Sequence, residues 1–168
     1  MIDAIMRDLR QPEYLHVLLN PIPVYGLAVG LIGLIAAFFL RSRSAQIVCC
    51  IIILFSSAAA FPVYELGEQS YDRVLSMADD DGRAWLSAHE DRAEDLIWLF
   101  YVLAALSAAA IALPIKWPKS SLLLAAAVAV FGAIVLGAGG YIAYAGGKIR
   151  HREFRNVPPP KQQTEHER

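Results

Sequence analysis

Apolar residues run along this chain in blocks, not at the period of a strand or a half-buried helix. Four stretches, about 22–40, 47–64, 96–115 and 122–145, carry essentially no charge. Nearly all of the 15 Lys and Arg and the 16 Asp and Glu lie between or beyond them. Uncharged blocks of this length read as membrane spans. At about 1.5 Å per helical residue, the shortest of them come close to the roughly 30 Å of bilayer hydrocarbon. The run 47–55 is β-branched enough to pass for a strand, but an isolated strand leaves its backbone unpaired in lipid. The pattern therefore predicts an all-α fold: an integral membrane four-helix bundle with a short N-terminal interfacial helix and a small helical extramembrane cap.

The flanking segments add detail. Within 1–19, Ile2, Ile5, Met6 and Leu9 recur at helical spacing with Asp3, Arg7 and Asp8 between them. This predicts an amphipathic helix on the membrane surface, stopped by Pro12. It does not read as a secretory signal, because mixed charge precedes the first apolar run and no small-residue cleavage site closes it. The transmembrane domain spans 20–145 and includes an acidic extramembrane segment, 65–95, with ten Asp and Glu against three Arg. That segment is expected to form two short helices folded over one end of the bundle. Asp79-Asp80-Asp81-Gly82 would supply the turn and a helix N-cap. The tail, 146–168, is basic and then proline-rich at Pro158 to Pro160, and is expected to be disordered by itself.

With a chain of 168 residues, the length suits one domain, and 57% hydrophobic residues is high for a soluble one. A net charge of −1 argues against nucleic acid as a partner. Cys49 and Cys50 are neighbours in an apolar run, too divergent on a helix to pair with each other, so they say nothing of redox compartment. The basic residues conflict over orientation. Those on the side shared by both termini and 65–95 outnumber Arg41, Arg43, Lys116 and Lys119 in the two short turns, which would put the termini in the cytoplasm. Against this, the short turns are purely basic and the middle segment is acidic.

In lipid, helices associate through small residues. Gly26 and Gly30, then Ala104, Ala108 and Ala112, then Gly139, Ala143 and Gly147 form such ladders, with Ala133 and Gly137 on a neighbouring ridge. They serve contacts within the chain or with other membrane protein subunits. No span has a central ionisable residue, which disfavours transport and proton relay. The ionisable candidates gather at one end: His16, His89 and His151, with Glu65, Glu68 and Glu90 nearby. Imidazoles grouped at a membrane surface suit haem b or a metal ion. The alternative is that each is an interfacial hydrogen-bonding residue, since no two share a ligand spacing and His166 lies in the tail. Asp79 to Gly82 fails the spacing of a calcium loop, and Gly137 to Gly140 follows no strand, so it is no phosphate cradle. No nucleophile motif supports an enzyme. Trp85, Trp98, Tyr101 and Trp117, with Tyr14, Tyr25, Tyr64 and Tyr144, fall near span ends as an aromatic belt.

Three pieces of the chain resemble a bacterial four-span membrane family filed as domain of unknown function 2231. Asn20-Pro21-Ile22-Pro23-Val24-Tyr25 looks like its opening motif, though two family histidines would fall at Asn20 and Tyr25. Gly67-Glu68 and the later His89-Glu90 look like its soluble segment, and Gly139 to Gly146 like its glycine-rich closing span. The resemblance implies a multi-pass protein of the bacterial inner membrane with 65–95 in the periplasm. If the family histidines bind haem or metal, part of that site is lost here and His89 alone matches. The function expected from all of this is a non-catalytic structural or accessory subunit of a larger membrane complex, respiratory or photosynthetic. The alternative is a haem- or metal-binding membrane protein in electron transfer.

Overall fold

The computed structural model describes residues 2–160. Among these residues there is no strand, and the chain is an all-α four-helix bundle. Helix α1 covers Ile2–Asp8 and α2 covers Pro12–Leu19, with Pro12 at the first turn, where a missing N–H costs nothing. Pro21 and Pro23 then remove two amide donors in succession. The chain answers with a π-helical turn, Ile22–Gly26, before α3, Leu27–Phe39. Arg41 closes the first short turn with φ 49°, and the Ser42 hydroxyl accepts from the Ala45 amide to cap α4, Arg43–Ala58.

Helix α5, Ala60–Met77, follows after one residue, because Pro62 has no amide to return to Ala58. Asp79 caps α6, Asp80–Lys116, through the Gly82 amide at 3.0 Å. A 3₁₀ turn, Pro118–Ser120, leads into α7, Ser121–Arg150. These elements line up as four helical rods of 28, 35, 37 and 33 residues, each apolar enough to cross a bilayer. The protein is a multi-pass membrane protein.

The rods exceed the span lengths expected from the apolar blocks, and this changes the cap. Segment 65–95 is not two short helices folded over the bundle. It is the upper part of α5 and of α6, continuing their own spans and joined at Ala78 and Asp79. Charge ends the hydrocarbon but not the helix, because Tyr71, Val74 and Leu75 keep an apolar stripe that packs on Trp85, Leu86, Ala145 and Ile149. Helix α2 lies against α5 at this same end. Trp85, expected as an interface anchor, is buried at 2% exposure in that cluster.

The lower core is closed by Leu27, Leu34, Ile53, Leu103, Val128 and Val135. Small residues set the helix approach where expected at three sites. A Cβ on Gly26 would overlap Ser56 Oγ, one on Gly30 would meet Ile53 at 2.6 Å, and one on Gly139 would meet Phe100 and Val24 at 3.2 Å. Ala104 is half-buried, whereas Ala108 and Ala143 face outward and Gly147 has open space where a Cβ would sit. The tail also departs from expectation. Helix α7 runs on to Arg150, and Arg155 folds back to donate to the carbonyls of Lys148 and Ile149 and to Asp79. Residues 161–168, with His166, lie outside the described residues.

Candidate functional site

The extramembrane ends of α2, α5, α6 and α7 enclose a cavity of about 490 Å³, within the roughly 300–1,000 Å³ typical of ligand pockets. His16 and His89 face it from α2 and α6. The ring centres stand 6.4 Å apart with the planes at 84°.

Each imidazole is held by the same device. His16 Nδ1 donates to the Val63 carbonyl at 2.8 Å, and His89 Nδ1 donates to the Ile142 carbonyl at 3.0 Å. A carbonyl only accepts, so Nδ1 carries the proton and Nε2 keeps its lone pair on both rings. Neither Nε2 has a hydrogen-bond partner among the described residues. A glycine lies one helical turn beyond each accepting carbonyl and makes room for the ring. A Cβ on Gly67 would stand 3.1 Å from His16, and one on Gly146 would stand 3.1 Å from His89. A Cβ at either position is a tighter contact than usual, and the ring would have to shift by a few tenths of an ångström to admit it.

The walls are mainly apolar, with acidic groups set into them. Glu68 and Glu90 line the cavity, and the Tyr71 hydroxyl bonds the Glu90 carboxylate. Burial pushes the Glu90 carboxyl above its ordinary value, helped by the charges of Glu68, Asp91 and Glu94 and opposed by the Tyr71 bond. Burial also pushes the Tyr71 phenol up. Arg73 pairs with Glu13 at 2.6 Å and, with Arg150, supplies the cations of the lining. Both histidines are pushed below 6.5, chiefly by burial, with the carbonyl bonds opposing. Two neutral imidazoles therefore face the cavity at neutral pH.

Of the three histidines expected to converge, the fold brings two together. His151 is exposed, stacked on Phe154 with centroids 4.9 Å apart and paired with Glu153 at 2.9 Å, and it does not line the cavity. The end of α7 places it past the hairpin, not under it. Gly67 and Gly146 as histidine niches, Tyr71 and Arg73 were not expected from chemistry. Asn20, Gly67, Glu68, His89, Glu90 and Gly146, distant in sequence, all line this one cavity.

Among the described residues, no three His, Cys, Asp or Glu side chains converge as a metal centre. Two neutral imidazoles with unpaired Nε2 atoms are donors of the kind that could hold a haem iron. No family model matches this chain, no curated protein matches it in sequence, and no solved structure matches it in fold.

Proposed function

We propose that this chain is a haem b protein of the membrane that takes part in electron transfer, with His16 and His89 as the residues that would hold the haem. The observation that carries the reading is the matched anchoring of both rings through Nδ1 to a main-chain carbonyl. That arrangement fixes the tautomer and raises the basicity of the opposite nitrogen, as is usual for imidazole ligands. Burial keeps both rings neutral and ready to ligate, while Arg73 and Arg150 offer partners for the carboxylates of a porphyrin. When bound, the haem would supply reversible one-electron chemistry, and the chain's residues would set its orientation and exclude bulk water. No enzymatic step is assigned to the chain.

The test is a spectrum of the full chain extracted in mild detergent after expression with added haem precursor. A Soret band near one equivalent, lost in His16→Ala and in His89→Ala but kept in His151→Ala, is the expected result. A colourless protein that takes up no hemin at saturation overturns the reading.

A second role is compatible with the first, as a structural or accessory subunit of a larger bacterial membrane complex, respiratory or photosynthetic. It is supported by a strip of α7 that no helix among the described residues covers: Gly137 and Gly140 have nothing within 4 Å of where a Cβ would sit. Gly137→Leu should release a co-purifying subunit, and unchanged recovery would remove the strip from consideration. We further propose the bacterial inner membrane as its location, with the acidic 65–95 hairpin in the periplasm and the purely basic short turns in the cytoplasm.

A further inference from the structure

The opposite end of the bundle carries a second cavity, of about 690 Å³, where the two short turns meet. Arg41, Arg43 and Lys119 line it, over an apolar rim that includes Phe38 and Leu122. Nothing at this end neutralises those cations. The sequence holds no Asp or Glu anywhere in 14–64 or in 96–152.

Arg43 is built into the pocket and does not simply extend into water. Pro114 lacks the N–H that would close on the Ala110 carbonyl, and Arg43 Nη2 takes that carbonyl at 2.8 Å instead. The bond turns the guanidinium inward, where Nη1 is buried without a partner. A buried, charged donor with nothing to donate to is costly, and it calls for an acceptor that arrives from outside. Arg41, the one described residue other than glycine with positive φ, ends α3 as a left-handed C-cap, with the Ser42 amide donating to the Ala37 carbonyl. Helices α4 and α7 both begin at this pocket, so two positive helix ends add to the attraction.

We propose that this pocket binds the phosphate of an anionic phospholipid. The shared chemistry is a phosphoanion held by a guanidinium fork, and the apolar rim favours the lipid as its source. Phe39 and Leu40, at 86% and 74% exposure, continue the rim outward where acyl chains would lie.

The test uses the full chain in detergent, with phosphatidylglycerol, phosphatidylcholine of the same chains, and inorganic phosphate as separate probes. Retention in native mass spectrometry and the melting temperature are the readouts. One phosphatidylglycerol per chain should be retained and should raise the melting temperature, while phosphatidylcholine and inorganic phosphate should not. Arg41→Gln combined with Lys119→Gln leaves the Arg43 bond in place. It should weaken phosphatidylglycerol retention roughly 30-fold, a factor of about five per near-surface cation, without changing the melting temperature of the lipid-free protein. Equal retention of the two lipids, or retention indifferent to the double variant, overturns the proposal. A shift with inorganic phosphate as large as with phosphatidylglycerol overturns the lipid in favour of a soluble phosphoanion.

Discussion

Arg155 reaches back across 76 residues of sequence to place Nη1 2.9 Å from Asp79 Oδ2. Asp79 is also the N-cap of α6, so one carboxylate closes the helical hairpin and fastens the segment that follows α7. Gly82 is required beneath it, because a Cβ there would meet the Ile149 carbonyl at 2.8 Å.

This latch should survive acid. Arg155 holds the Asp79 carboxyl down to about 2, against an ordinary value of 3.8. A lowered carboxylate contributes its stabilisation fully above the ordinary value and loses it as pH falls through the lowered one. Pepsin at pH 3.5–4 should therefore leave residues 151–157 of the wild type largely intact, while Arg155→Ala exposes them to cleavage. Equal cleavage of the two would separate the latch from the ordering of the tail.

Acid should act differently on the cavity. Burial lowers His16 and His89 below 6.5, so the unfolded chain binds more protons than the folded one as pH falls below that value. The histidine contribution is fully present above 6.5 and declines as pH drops through the folded values. Melting temperature in detergent should fall from pH 7 toward pH 5. His16→Gln with His89→Gln should flatten that slope, and an unchanged slope would assign it to other groups.

Gly67→Ala and Gly146→Ala each place a Cβ about 3.1 Å from an imidazole, tighter than ordinary contact. Each should reduce haem uptake, read as the Soret intensity per mole of protein, while the chain still extracts as a folded species. Gly137→Ala, which meets nothing, is the matched control.

At the other end, Arg43→Ala should cost about 1–3 kcal/mol by stranding the Ala110 carbonyl. Pro114→Ala restores the helical amide to that carbonyl. The double variant should therefore lose less than Arg43→Ala alone, a coupling that a denaturation cycle in detergent measures. Strict additivity would show that the carbonyl finds another donor.

The four spans were legible because lipid demands uncharged blocks, and no soluble pattern mimics them. Their true lengths were not, because Tyr71, Val74 and Leu75 continue a helix whose charged face reads, residue by residue, as a separate cap of short helices. The histidines were legible as a group sharing one side. That His16 and His89 meet while His151 does not depends on how far α7 runs, which charge patterning does not encode. Of the small-residue ladders, Gly26, Gly30 and Gly139 sit at helix contacts as their spacing suggests. Ala108 and Ala143 keep the same spacing but point outward, since a four-residue step fixes a stripe without saying which way it faces.

A helix of 37 residues such as α6 is about 55 Å long, nearly twice the roughly 30 Å of hydrocarbon it must cross. The surplus carries the hairpin beyond the lipid, with the His16–His89 cavity at its base, beside Val63 and Ile142 at the span ends. The same projection makes sidedness simple to read: a water-soluble thiol reagent added outside sealed vesicles should modify a cysteine introduced at exposed Asp72 from one face only.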